Sequence, residues 1–166
     1  MNLFVSLLPV LFQLLLGLKD GELTTISSKL PVNAPMMVCD RRSDSLELIK
    51  LYNATGGSNW ITKWDLNKSM NTWWGIILTE GGCVKEIDLN HSTPGCWCGN
   101  NLVGFVPDLN LSELIGLGLS KNKLTGSIPE FNKLPMLETL GLANNQLIGL
   151  IPNFTNLKKL KALYLE

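Results

Sequence analysis

The sequence predicts an α/β solenoid, a right-handed coil with short parallel strands on its concave side and a small helical cap at its N-terminal end. The first observation behind this fold class is an exact 23-residue period in the second half of the chain, because a strict long period is the signature of a solenoid. The second is a helix and a tryptophan cluster just ahead of the repeats, where the open apolar end of such a stack needs a cover. A solenoid exposes one long curved face, which suits binding rather than catalysis.

Two regular copies and the start of a further one define the repeat. The equivalent positions, each 23 residues apart, are Leu114, Leu117, Leu119, Asn122, Leu124, Gly126, Ile128 and Pro129, then Leu137, Leu140, Leu142, Asn145, Leu147, Gly149, Ile151 and Pro152, then Leu160, Leu163 and Leu165. The last two leucines of Leu-x-x-Leu-x-Leu alternate with exposed positions, which predicts a short strand with one buried face. Asn122 and Asn145 are expected to bond backbone groups of the following turn, each of which costs about 1–3 kcal/mol when buried and unpaired.

The first copy departs from this pattern. Val84, Ile87 and Leu89 match its opening, but the match resumes only at Asn100, so eight additional residues are present. These carry a Cys-Trp-Cys sequence, and we expect them to loop out of the first coil. The repeats therefore occupy residues 83–166 as about 3.5 coils, and we expect the chain to be the truncated beginning of a longer solenoid.

A helix is predicted over Asp44–Tyr52. Asp44 and Glu47 are compatible with a capping box, and Ser43 is the alternative cap. Leu46 and Ile49 fall on one face, with two further leucines beside it. Two consecutive glycines after the helix predict its end, because glycine adopts the left-handed conformation that other residues avoid.

Residues 43–82 are predicted to form the cap, preceded by an extended lead-in at 19–42. Indole rings bring a large apolar area with few rotatable bonds, which favours a cover over the first coil. The alternative is an aromatic sugar-binding platform. The tryptophans in question are Trp60, Trp64, Trp73 and Trp74.

Residues 1–18 are predicted to be a signal peptide, because Leu3–Leu18 is nearly all apolar and polar residues follow at once. An uncleaved anchor is the alternative, although this stretch is short against the roughly 20 residues of a spanning helix. We therefore expect a secreted chain, or one on the extracellular face of the plasma membrane. Five Asn-x-Ser/Thr sequons agree with export, and they begin at Asn53, Asn67, Asn90, Asn110 and Asn153.

The four cysteines, Cys39, Cys83, Cys96 and Cys98, predict two disulfides in an exported chain, with three pairings open. A metal site formed by His91 with the last two cysteines is not expected, because the spacing is not a standard zinc pattern. Lysine plus arginine equals aspartate plus glutamate, 14 each, so there is no electrostatic case for nucleic acid. No phosphate-cradling loop, kinase signature or nucleophile elbow appears in the sequence, so neither an enzyme nor a cofactor is predicted.

The string Leu-x-x-Leu-x-Leu-x-x-Asn-x-Leu-x-Gly-x-Ile-Pro resembles the plant-type leucine-rich repeat. Leu51–Trp60 and Thr72–Ile76 resemble that family's N-terminal cap, and the resemblance covers roughly residues 44–166. It implies a curved extracellular solenoid that recognises peptides, proteins or carbohydrates. The repeats are one residue shorter than the family's usual unit, and the missing residue falls just after the proline. Asn71 and Leu78 stand where the family's cap often has a pair of cysteines.

The concave face is the predicted ligand surface. The outward positions of the first and last strands are mostly charged, and those of the middle strands are mostly very small. This pattern predicts a flat track that a ligand backbone can approach closely. The alternative is that the small residues have no role in binding. A glycan on Asn90 would partly cover this face. The contact candidates are Lys85, Glu86, Asp88, Gly116, Gly118, Glu138, Gly141, Lys161 and Tyr164.

The predicted function is that of an extracellular recognition module for a protein, peptide or carbohydrate ligand. By the resemblance, one alternative is the N-terminal ectodomain fragment of a receptor-like protein kinase, attached to a membrane through a C-terminal part outside this sequence. A second alternative is an inhibitor of secreted polysaccharide hydrolases.

Overall fold

The structure, a computed structural model, describes residues 39–91 and 98–166. The predicted signal peptide, most of the predicted lead-in and Cys96 lie outside these residues. The described ranges contain one α-helix, α1 (Arg41–Ala54), and two 3₁₀ turns (Gly57–Asn59 and Met70–Thr72). No helix within them is long and apolar enough to cross a membrane. The strands are β1 (Ile76–Leu78), β2 (Val84–Asp88), β3 (Val103–Phe105), β4 (Gly116–Gly118), β5 (Lys123–Gly126), β6 (Thr139–Gly141), β7 (Gln146–Leu147) and β8 (Ala162–Tyr164).

Helix α1 begins three residues earlier than predicted. Asp40 is its N-cap, and the Asp40 carboxylate accepts a hydrogen bond from the backbone N–H of Arg42 at 2.9 Å. The prediction that Asp44 or Ser43 caps the helix is wrong. Asp44 is instead buried and accepts a hydrogen bond from the backbone N–H of Val84 at 2.8 Å. This carboxylate therefore joins the cap to the first repeat strand, which is a contact between residues 40 positions apart.

The buried face of α1 also differs from the face suggested by the sequence. Leu48 and Leu51 are fully buried, whereas Leu46 is 58% exposed. Since Asp44 lies one turn before Leu48, the inward face runs through positions 44, 48 and 51. The helix ends before Gly56, whose φ of +66° confirms the predicted left-handed glycine.

Burial of the Asp44 carboxyl raises its pKa above the ordinary 3.8, although the hydrogen bond from Val84 acts in the opposite direction. A raised pKa in the folded state favours the protonated form, so the stability contributed by Asp44 is present below its unfolded pKa and is lost as pH rises through the folded value. We expect Asp44→Asn, which cannot ionise, to gain stability relative to the wild type as pH rises from 3.5 towards 7. Urea unfolding at several pH values measures this difference, and the exposed Asp108→Asn is the control. A difference that is constant with pH would contradict the assignment.

A five-stranded sheet lines one side of the coil in the order β1-β2-β4-β6-β8. The four repeat strands are parallel, which confirms the predicted inner sheet. Strand β1 was not predicted. It pairs antiparallel with β2, so it covers the sheet edge at the cap end. The inward leucines of the repeat strands form the core, with Leu117, Leu119 and Leu140 at most 1% exposed.

A second parallel sheet, in the order β3-β5-β7, was also not predicted. Its strands follow the bend that recurs in each coil, and Leu124, the inward residue of β5, is fully buried. These strands are two to four residues long, which is too short to show a clear alternation of apolar and polar residues. The coil is therefore hydrogen-bonded along two sheets, not one.

The two sheets are joined by a ladder of asparagines. Asn122 accepts hydrogen bonds from the backbone N–H groups of Asn100 and Leu102, and its amide nitrogen donates to carbonyls of Leu89, Leu119 and Ser120. One coil later, Asn145 accepts from Leu124 and donates to carbonyls of Leu119, Leu142 and Ala143. The predicted role of both asparagines in bonding turn backbone is confirmed.

Three of the four clustered tryptophans are buried in the cap. Trp60, Trp64 and Trp73 are at most 5% exposed, and successive ring centroids in this series are 4.9 Å apart. The indole nitrogens donate to backbone carbonyls of Thr55, Trp74 and Asp65. A buried and hydrogen-bonded cluster acts as a cover, because it leaves no open ring face on which a sugar could stack.

Two phenylalanines on the outer side of the coil have a left-handed backbone. Phe131 and Phe154 lie two residues after the repeat prolines and adopt φ values of +51° and +50°. A left-handed conformation costs a residue with a side chain roughly 1–2 kcal/mol. Phe131 is nevertheless fully buried, so the apolar area that its ring removes from water offsets this strain.

Candidate functional site

The concave face forms an open depression of about 610 Å³ across the first three coils and Tyr164 of the last. Cross-strand pairing sets its rows. One row runs Ile77, Glu86, Gly116, Thr139 and Ala162, in steps of one strand. The strand β1 therefore extends the concave row by one position, Ile77, which sequence reasoning did not place there.

The next row contains four of the predicted contact residues. Asp88, Gly118, Gly141 and Tyr164 are successive partners across β2, β4, β6 and β8. Tyr164 is 57% exposed at the end of this row. The row thus begins with a carboxylate and ends with a phenol, with no side chain between them.

Seven of the nine predicted contact residues line the depression, and Lys85 and Lys161 do not. Lys161 forms an ion pair with Glu138, whose carboxylate accepts a hydrogen bond from the Lys161 ammonium at 2.8 Å. This hydrogen bond lowers the pKa of Glu138, which lies at the solvent-exposed rim. The Lys85 ammonium lies 4.0 Å from the Glu86 carboxylate.

Lys121 and Asn144 line the depression and were not among the predicted contact residues. Both follow a repeat strand, and both have left-handed backbones with φ values of +58° and +55°. They are 23 residues apart, so the period could have indicated that both lie at the same place in successive coils. The left-handed turn brings them to the rim of the sheet.

The small residues of the track are explained in part by packing. A side chain at Gly118 would collide with the amide of Asn90, and one at Gly141 would come within 3.1 Å of the Ser120 hydroxyl. A side chain at Gly116 would meet only Glu86, at an ordinary 3.5 Å. A side chain at position 118 would have to displace the Asn90 amide, whereas position 116 has room for a side chain and is the useful position for a test of ligand contact.

The amide of Asn90 is part of this packing. Its oxygen accepts a hydrogen bond from the backbone N–H of Ser120 at 2.6 Å, and its nitrogen, the atom to which a glycan is attached, lies over Gly118. Asn53, Asn67, Asn110 and Asn153, the other sequon asparagines, are exposed. Occupancy of all five sequons stays a prediction.

The described residues contain one group with the ligand types of a metal site. Atoms of Cys39, Asp44 and Cys83 lie within 4.8 Å of one another. The two sulfurs are bonded to each other in a disulfide, so they are not available as thiolate ligands. Of the three pairings left open by the sequence, this bond selects the one that joins Cys39 to Cys83. Cys98 is also disulfide-bonded.

The comparisons with known proteins fit this geometry. No family model matches the chain. Over 103 residues the chain is 33% identical to the receptor-like kinase TMK4 of Arabidopsis thaliana; the match covers 61% of this chain and 10% of the kinase. The chain therefore spans about a tenth of the length of that relative.

Two solved structures from Arabidopsis thaliana are similar as well. A chain of the complex between BIR3 and SERK2 matches at 29% identity and a TM-score of 0.58, covering 74% of this chain and 67% of that one. The leucine-rich repeat ectodomain of the receptor kinase GASSHO1/SCHENGEN3, solved with CASPARIAN STRIP INTEGRITY FACTOR 2, matches at 27% and 0.59, covering 73% of this chain and 15% of that one. Together with the period, the asparagine ladder and the parallel inner sheet, these likenesses show that the chain has a leucine-rich repeat fold similar to that of plant receptor kinase ectodomains.

Proposed function

We propose that this chain is an extracellular recognition module that binds a protein or peptide ligand across the concave face of β2, β4, β6 and β8. The observation that carries this proposal is the open depression of about 610 Å³ on that face. Its floor is a continuous parallel sheet whose central positions lack bulky side chains. A ligand backbone can therefore approach closely, while the acidic groups and Tyr164 at its edges supply specific contacts.

The comparisons support a receptor context for this module. TMK4 is named a receptor-like kinase, and the GASSHO1/SCHENGEN3 match is the ectodomain of a membrane receptor kinase. Both solved matches are complexes, one between BIR3 and SERK2 and one with CASPARIAN STRIP INTEGRITY FACTOR 2. We infer that the chain is a recognition segment of such a receptor and has no catalytic role of its own.

An extracellular location supports the same proposal. The Cys39–Cys83 disulfide and the disulfide at Cys98 are typical of exported proteins, because cytosolic thiols are kept reduced. Sequencing of the full-length transcript tests the receptor context. A downstream membrane span and kinase signatures are expected, and a transcript that encodes a soluble binder alone would contradict it.

The substitution Gly116→Arg tests the binding face. A peptide selected from a displayed random library on the wild-type chain is the probe, and its Kd is measured by calorimetry. Arginine at this position projects from the middle of the depression without forcing a backbone change, so we expect the affinity to fall by about tenfold or more, which is about 1.4 kcal/mol.

The matched control is Glu130→Arg, an exposed position on the outer side of the coil with the same new side chain. We expect its Kd to stay within about twofold of the wild type, which is the usual effect of a substitution far from an interface. Circular dichroism and urea unfolding confirm that both variants are folded. Equal losses in both variants, or none in Gly116→Arg, would reject the concave face as the binding surface.

A further inference from the structure

We propose a second binding site, on the cap and away from the concave face, which takes an acidic peptide segment with aliphatic side chains. The site is an open depression of about 620 Å³ between the start of α1, the 66–73 segment and the β1–β2 turn. Three cationic residues line it, Arg41, Arg42 and Lys68, against a single carboxylate, Glu80. In a chain with no net charge, this is a local excess of positive charge.

The cationic side of the depression is held in place. The Arg41 Nε donates to the carbonyl oxygen of Gly81 at 2.7 Å. Gly82 has a φ of +82°, and any side chain there would collide with the Arg41 guanidinium. The guanidinium therefore rests against the bare backbone of the turn. A preorganised arginine loses less conformational entropy when it binds a carboxylate, and its fork matches the two carboxylate oxygens.

The Cys39–Cys83 disulfide strengthens this frame. Cys39 lies two residues before Arg41, and Cys83 directly follows Gly82. The bond therefore ties the start of α1 to the β1–β2 turn, which are the two walls that carry the arginines and the Gly81 carbonyl. The distance between these walls does not depend on weak surface contacts.

The other cations are available to a ligand. The Arg42 side chain is exposed and forms no ion pair within residues 39–91 and 98–166. The Lys68 ammonium lies 3.6 Å from the Asp65 carboxylate, and both side chains are at least half exposed, so this pair contributes little. A ligand carboxylate can therefore replace the water at Arg42 and the Asp65 carboxylate at Lys68 with little loss of free energy.

The floor of the depression decides the class of ligand. Its apolar part includes the aliphatic side chains of Ile49, Leu66 and Leu78, whereas the aromatic ring of Trp73 is only 5% exposed. Ser45, Ser69 and Asn71 add polar groups to the lining. Aliphatic floors favour aliphatic ligand groups through the hydrophobic effect. A stacking sugar ring would need an open aromatic face, which this floor does not offer. Carboxylates beside leucine-type side chains therefore fit the site better than an acidic oligosaccharide.

The probe is a fluorescein-labelled peptide of alternating glutamate and leucine, and binding to the whole chain is followed by fluorescence anisotropy. A matched peptide with glutamine in place of glutamate is expected to bind about tenfold more weakly, because charge-assisted hydrogen bonds are lost. Raising sodium chloride from 50 to 500 mM is expected to weaken the glutamate probe several-fold, because exposed charges are screened. Equal binding of the two peptides would overturn the proposal.

Substitutions locate the site. Arg42→Gln and Lys68→Gln remove exposed charges without touching the core, and each is expected to weaken the glutamate probe by about three- to tenfold. Lys133→Gln, an exposed lysine on the outer side of the coil, is the matched control and should leave the Kd unchanged. Gly116→Arg should also leave it unchanged, which separates this site from the concave one.

Three further outcomes would overturn the inference. One is equal weakening by Lys133→Gln and Arg42→Gln, which would mean general attraction to positive charge. Another is the loss of probe binding in Gly116→Arg, which would assign the probe to the concave face. The third is Arg42-dependent binding of trigalacturonate by a chain that does not bind the glutamate peptide, which would mean an oligosaccharide site.

Discussion

We expect Asn122→Ala to lower the free energy of unfolding by about 3 kcal/mol or more. The Asn122 side chain is 8% exposed and takes part in five hydrogen bonds with backbone groups of two coils. Alanine leaves the N–H groups of Asn100 and Leu102 without this acceptor. Each buried group that loses its partner costs about 1–3 kcal/mol, which is why a single amide has so large an effect.

Urea unfolding followed by circular dichroism measures this change, and two further substitutions calibrate it. Asn145→Ala removes the equivalent amide one coil later, where the site is only half-buried, so the loss should be smaller. Asn156→Ala removes an exposed amide whose side-chain partner is Asn132, and its effect should stay below about 0.5 kcal/mol. If Asn122→Ala were no more destabilising than Asn156→Ala, the ladder would not be a main source of stability.

The second large effect is expected from removal of the Cys39–Cys83 disulfide. The bond joins residues with a sequence separation of 44. A disulfide that closes a loop of this size typically stabilises the folded protein by about 2–4 kcal/mol, because it restricts the unfolded chain. We therefore expect Cys39→Ser combined with Cys83→Ser to lower the free energy of unfolding by that amount. The start of α1 and the β1–β2 turn should show the largest increase in amide hydrogen exchange.

Reductant provides the control for this prediction. Treatment of the wild type with dithiothreitol reduces both disulfides and should cause at least this loss, whereas the same treatment of the double variant reports only on the disulfide at Cys98. The glutamate probe of the cap depression should also bind the double variant more weakly, since the bond holds its two walls together. Unchanged stability in the double variant would mean that the cap is held by packing alone.

Features with a fixed period were accessible from the sequence. The leucines of the inner strands, the turn asparagines and Gly126 all recur at 23 residues, and all take their expected positions. Seven of the nine predicted concave residues line the depression for the same reason. Residues at the same position of each repeat occupy the same place in each coil, so a correct prediction for one repeat applies to every regular coil.

Features without a period were not accessible. The strand β1 occurs once, and the second sheet is built from strands too short to show an alternation. Helix α1 begins at Arg41 because Asp40 caps it. The sequence also did not indicate the hydrogen bond between Val84 and Asp44 or the disulfide between Cys39 and Cys83. These contacts join residues about 40 positions apart, and local propensity carries no information about them.

By itself, the sequence determined the solenoid, its concave surface and the buried amides that hold successive coils, because these follow from local periodicity and from the need to satisfy buried backbone groups. Only the tertiary structure decided that Cys39 pairs with Cys83, that the Asn90 amide packs over Gly118 and where Arg41, Arg42 and Lys68 converge. Those outcomes depend on which distant segments meet in the cap and between coils, and such meetings are set by the packing of the whole fold rather than by any stretch of the chain.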